Sequence, residues 1–136
     1  MWTVPLVPGS VRAARERAER SLVLFGVAPG SPLGGAALLV ISELVANAVR
    51  HAQNSPDAEI TLTVNDRLLV VGVADLDPRP MALTGHSSGR GLHTVAELAG
   101  EYGGDVRVEP AADGRGKSLV VRFILPTGTP GPTGTP

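Results

Sequence analysis

Apolar residues divide the 136-residue chain into stretches with two different periods. Val11, Ala14, Ala18, Leu22 and Phe25 recur at three- and four-residue steps, which puts them on one face of a helix over 11–25. Ser10 is a favourable N-cap for it, and Gly26 a favourable stop. Arg12, Arg15, Glu16, Arg17, Glu19 and Arg20 crowd the other faces, as on a solvated surface or one that meets a partner. A second helix is predicted from Pro32 to about Ala52. Ser31 can cap it and Pro32 suits its first turn, whereas Gly34 and Gly35 weaken its start. Leu38, Ile41, Leu44, Val45 and Ala48 make its buried stripe.

After this helix the period changes to two. Ile60, Leu62 and Val64 alternate with Thr61 and Thr63, and Asn65-Asp66 makes a turn. Residues 67–74 are almost continuously apolar, as expected of a central strand that helices cover on one face. Residues 78–91 are rich in Gly, Ser and Pro and read as a mobile loop, followed by a third helix over 91–100. Val106 and Val108 open a last hairpin, which turns through 113–116. Its return strand, 118–125, places Leu119, Val121, Phe123 and Leu125 on one face. Residues 2–7 suit an edge strand. The expected architecture is α+β: a two-layer α/β sandwich with a mostly antiparallel mixed sheet packed on three helices. One domain would span 1–126. The Pro/Gly/Thr-rich residues 127–136 read as a disordered tail.

Composition narrows the function classes. With 12 Lys and Arg against 13 Asp and Glu, the chain lacks the basic surplus of a general nucleic-acid binder. Aromatics at 3% are too few for base-stacking platforms. Without cysteine there is no disulfide framework and no thiolate metal site. The apolar runs look too short to cross a membrane, and the N-terminus has no signal-peptide pattern. The expectation is a cytoplasmic protein with no direct nucleic-acid or membrane partner.

Polar residues interrupt the second helix where a core element should be clean. Glu43, Asn47 and His51 succeed one another at four-residue steps and share a face beside the apolar stripe. A buried carboxylate or amide costs several kcal/mol unless it is satisfied. A magnesium ion satisfies both, because it takes oxygen ligands and keeps waters that a carboxylate can hold. Asn47 could ligate the metal through its carbonyl oxygen. Glu43 could hold a water or accept a proton from a hydroxyl nucleophile. The two would equally suit a half-exposed polar pair at the helix edge. His51 fits the carbonyl end of the helix better than a metal. Arg50, in the same turn, could reach phosphate or simply face solvent. Asp75, at the end of the apolar run, could accept a hydrogen bond from an exocyclic amine such as that of adenine. Asp77, next to Pro78, suits a turn. Gly89-Arg90-Gly91-Leu92 leads into a helix, where glycines let the backbone approach a ligand and free N–H groups can face phosphate. Gly116-Lys117-Ser118 begins a strand, not a helix, which excludes a P-loop.

In order and rough spacing, these segments resemble the GHKL ATPase superfamily, the fold of histidine-kinase catalytic domains, gyrase-type ATPases and anti-sigma-factor kinases. Glu43-Leu-Val-Ala-Asn47-Ala resembles the N box. Val73-Ala-Asp75 resembles the start of the G1 box, and Gly89-Arg90-Gly91-Leu92 the G2 box. Residues 116–126 resemble the closing strand. The chain is most similar to stand-alone bacterial anti-sigma-factor serine kinases. That resemblance implies ATP and Mg²⁺ as cofactors, with Glu43 as the catalytic carboxylate and Asn47 on the metal. It implies a nucleotide-binding set of Asn47, Arg50, Asp75, Gly89, Arg90, Gly91, Leu92 and Ser118. It further implies a serine/threonine protein kinase in transcription regulation that binds a sigma factor and phosphorylates an anti-sigma-factor antagonist, and that can form a homodimer. The alternative is a non-catalytic module that binds ATP or a partner. One departure bears on turnover: where the G1 box continues Asp-x-Gly, this chain has Asp75-Leu-Asp77.

Overall fold

The computed structural model describes residues 1–52, 55–77, 89–110 and 116–125, with the backbone alone for 89–91. The chain folds as β1 (Trp2–Pro5), α1 (Ser10–Leu24), α2 (Pro32–His51), β2 (Asp57–Asn65), β3 (Leu68–Asp75), α3 (Gly89–Glu101), β4 (Asp105–Pro110) and β5 (Lys117–Ile124). The strands form one sheet in the order β1-β2-β3-β5-β4. All four pairings are antiparallel, so the sheet is more uniform than the mixed one expected. α1 packs on α2 and on β1 and β2; α2 lies over β3; α3 meets α2, β4 and β5. The result is the expected two-layer α+β sandwich.

Strand alternation sorts the sheet into two faces. One row across it runs Trp2, Ile60, Val73, Leu119 and Val108, all buried or half-buried. A parallel row runs Leu62, Val71, Val121 and Val106. These side chains meet Leu38, Ile41, Leu44, Val45 and Ala48 of α2, the stripe that periodicity predicts, in a single core. The opposite face carries Thr3, Glu59, Ala74, Ser118 and Glu109 in one row and faces away from the helices. At the far end of the core Tyr102 packs edge-on against Phe123, with ring centres 5.6 Å apart.

Local chemistry explains the boundaries. Ser31 accepts a hydrogen bond from the Gly34 N–H at 3.0 Å, and Pro32 occupies the first turn of α2. Gly34 is there for packing: a Cβ would lie 2.1 Å from the Ala28 carbonyl oxygen. The role expected of Ser10 goes to Gly9, which precedes α1 without a side-chain cap, while Ser10 is buried as the first helical residue. Gly26, at φ +80°, ends α1 as expected. Val27 N–H reaches Leu22 O and Gly26 N–H reaches Val23 O, the paired bonds of a Schellman stop. Asp66 and Arg67 both have positive φ and close the two-residue β2–β3 hairpin. α3 begins at Gly89, two residues earlier than expected, so the Gly-Arg-Gly-Leu segment forms its first turn. α2 also corrects the reading of apolar runs: by length and composition alone it could cross a membrane. Here it is the core helix, with most of its surface covered. The tail at 127–136 and the expected loop over 78–88 lie outside the described residues.

Candidate functional site

The last turns of α2 and the end of β3 are brought together by a short connection. Five residues separate His51 from Asp57, the first residue of β2, and Ala58 pairs with Asp75. Within that connection Ser55 is buried. Its hydroxyl donates to the Asp57 carbonyl at 2.7 Å and accepts the Leu76 N–H at 2.9 Å. One side chain thereby ties the exit of α2 to the turn just after Asp75. Asn47, one turn before His51, therefore lies at the same end of the sandwich as Asp75.

On α2, Glu43 is half-buried and Asn47 is 2% exposed. Asn47 takes part in a polar contact, and its Oδ1 is sealed from solvent without a hydrogen bond from the described residues. A carboxamide oxygen and a carboxylate one helical turn apart are hard oxygen donors, the chemistry that suits magnesium. Arg50 and His51 are both exposed in the last turn, and the guanidinium of Arg50 suits the carbonyl end of the helix.

The end of β3 holds more than a single acid. Asp75 is paired in register with Lys117, the first residue of β5. Lys117 Nζ lies 3.1 Å from Asp75 Oδ1, and the two side chains are 7% and 8% exposed. The same ammonium donates to the Asp77 carbonyl at 3.0 Å, and Asp77 N–H donates to Asp75 Oδ1 at 2.8 Å. Asp77 is fully buried, so the turn residue expected there is part of the interior. Gly116 makes room for this arrangement. A Cβ on it would sit 2.1 Å from the Asp75 carbonyl oxygen, so only glycine lets β5 begin so close to the end of β3.

Strand parity settles where the closing strand contributes. Asp75 and Lys117 continue the helix-facing rows, one step beyond Val73 and Leu119. Ser118 pairs with Ala74 and turns to the open face, away from Asp75. The β5 side chain that meets Asp75 is instead Lys117, which sequence reasoning passed over on rejecting a P-loop. The signal was available: counting alternate residues back from Phe123, Val121 and Leu119 reaches Lys117. The first turn of α3 supplies the backbone N–H groups of Gly89, Arg90, Gly91 and Leu92, which the first turn of a helix leaves unbonded. The Leu92 side chain is buried in the core, so only its backbone can serve a ligand. A depression of about 250 Å³ lined by Thr3, Asp57, Glu59, Ala74, Asp75 and Leu76 opens beside β1 and β2. Thr3, Glu59 and Ala74 belong to the open face, and the carboxylates there repel a polyphosphate.

The arrangement is that of an α+β sandwich with hard oxygen donors on a core helix and a buried acid at a strand end. The backbone of the chain superposes on that of histidine kinases. Over 90% of the chain, it matches the Erythrobacter litoralis EL346 blue-light activated histidine kinase with a TM-score of 0.57 and 17% identity. It matches the kinase domain of the same protein at 0.58 and 18%. The chain spans 46% and 62% of those two chains, so it corresponds to a part of each. It also matches the ATP binding domain of PrrB from Mycobacterium tuberculosis at 0.54 and 22%, covering 93% of this chain and 98% of that one. No curated protein matches the chain by sequence. The sequence profile of the histidine kinase-, DNA gyrase B- and HSP90-like ATPases matches residues 35–129, well over half of the chain. The chain belongs to this family and is an ATP-binding domain of the GHKL type.

Proposed function

We propose that the chain is an ATP-dependent serine/threonine kinase that regulates transcription by binding a sigma factor and phosphorylating an anti-sigma-factor antagonist. The observation that carries the reading is the Ser55 hydroxyl, which ties the exit of α2, the helix that carries Glu43 and Asn47, to the turn just after Asp75. In this reading Asp75 accepts the adenine amine. The α3 backbone from Gly89 to Leu92 faces the phosphates, and Asn47 holds Mg²⁺. Bound magnesium neutralises phosphate charge during transfer. Glu43, one turn from Asn47, takes the proton of the attacking serine hydroxyl. Arg50 is exposed at the helix end and is free to approach phosphate from outside. The partners are those of the anti-sigma kinases that the sequence resembles, in the cytoplasm and with a homodimer as the working unit.

One observation favours a second reading, a regulator that binds ATP without turning it over. Where the family pattern has a glycine after Asp75, this chain has the fully buried Asp77, clamped by Lys117. Calorimetry with Mg-ATP, followed by a phosphotransfer assay on a purified candidate antagonist, separates the two. Binding with transfer supports the kinase, and binding without transfer supports the regulator. Absence of binding removes both.

A further inference from the structure

We propose that Lys117 is the positioning residue for nucleotide selection: it holds Asp75 so that one carboxylate oxygen alone is presented to the purine. This rests on the reading of Asp75 as the adenine acceptor. Both bonds that fix the carboxylate, from Lys117 Nζ and from the Asp77 N–H, fall on Oδ1. None of the described residues donates to Oδ2. A carboxylate with one oxygen tied and the other open can accept a hydrogen bond from an exocyclic amine without rotating. The ammonium also fixes the Asp77 carbonyl, so it closes the turn that a glycine would otherwise shape. Charge and geometry act together here. The ammonium lies 3.1 Å from the nearly buried Asp75 carboxylate, and its second bond, to the Asp77 carbonyl, fixes the backbone two residues on. Without Lys117 the carboxylate would be free to rotate, and either oxygen could turn toward solvent or toward the Asp77 N–H.

The inference is tested by the ratio of affinities for Mg-ATP and for magnesium purine-riboside triphosphate, which lacks the exocyclic amine. Calorimetry on the full chain should find the parent preferring ATP by about tenfold or more, since one partner of the bond is charged. Asp75→Asn should bring the ratio close to one. Lys117→Met, similar in length but without charge or donors, should reduce the ratio at least threefold while circular dichroism shows a folded protein. A Lys117→Met protein that binds both nucleotides more weakly but keeps the parent ratio would overturn the inference, because a merely structural ion pair acts on both alike. An Asp75→Asn protein that keeps the parent ratio would instead overturn the adenine reading on which the inference stands. If Lys117→Met does not fold, Lys117→Gln retains an amide donor to close the turn. Its ratio is then expected between those of the parent and Asp75→Asn, and an unchanged ratio would overturn the inference.

Discussion

Two acid–base pairs bridge neighbouring strands at opposite ends of β5. At its start, Lys117 meets Asp75 at 3.1 Å, with both side chains more than nine-tenths covered. Near its end, Arg122 meets Asp105 through two bonds of 2.9 and 2.6 Å, with the side chains 30% and 45% exposed. By contact geometry the second pair is the better one, being shorter and two-pronged. Its effect on titration is plain: the Arg122 hydrogen bonds hold Asp105 below the ordinary aspartate value, and Asp105 in turn raises Arg122. Yet solvent screens it, and exposed pairs of this kind contribute about 1 kcal/mol or less. The first pair is anchored to backbone on both sides and has little water to fall back on. Distance describes how well two charges meet, whereas burial sets the penalty for removing one of them.

Substitutions at the two pairs should therefore separate widely. Lys117→Met leaves a nearly buried carboxylate without its counter-ion, and we expect a loss of about 3–5 kcal/mol in urea denaturation. A loss under about 1 kcal/mol would put this pair in the same class as Arg122–Asp105 and break the comparison. On α2, Glu43→Gln is expected to lower phosphotransfer by about 100-fold or more with ATP binding kept. Equal transfer by mutant and parent would remove Glu43 from the chemistry. Asp75→Asn is expected to weaken ATP binding by about 1.5–3 kcal/mol, roughly 10- to 150-fold. Unchanged affinity in a calorimetric titration would separate the knot from the ligand. The smallest effect belongs to the exposed pair. Asp105→Asn should cost about 1 kcal/mol or less at neutral pH. Because the folded value of Asp105 is depressed, that contribution is present above the ordinary aspartate range, about 4, and fades as the pH falls through the lower folded value. Parent and mutant melting temperatures should converge on acidification; a gap that widens would contradict the sign.

How far these features could be read in advance depends on what each rests on. Period decided most of the fold. Leu38, Ile41, Leu44, Val45 and Ala48 face the sheet as their spacing requires, and the 57–75 hairpin follows from alternation, with its corner at Asp66-Arg67, one residue later than the Asn65-Asp66 expected. Side-chain caps were less legible. Ser10 has the right chemistry, but the core takes it in as a first-turn residue. At the candidate site, Glu43 and Asn47 were visible because polar residues interrupt an apolar helix. Lys117 was not, because its meaning depends on Asp75, which is 42 residues distant in the chain and adjacent only through strand pairing. Asp77 illustrates the same limit. Asp before Pro reads as an exposed turn, whereas the structure buries Asp77 where a lysine from another strand holds its carbonyl.

The apolar character of α2 has a consequence for how the chain comes into being. Twenty residues of this hydropathy, met one after another at a ribosome, resemble the segments that translocation machinery hands to a bilayer. A small set of polar residues opposes that outcome, Glu43 near the middle and Asn47, Arg50 and His51 toward the end. A charged side chain near the centre of a membrane span disfavours insertion by about 2.5–3.5 kcal/mol on translocon scales. The side chains proposed to handle nucleotide would thus also mark the helix as one to be folded rather than inserted. A variant that trades them for leucine to stabilise the core would erase that mark during synthesis, before any ligand is met.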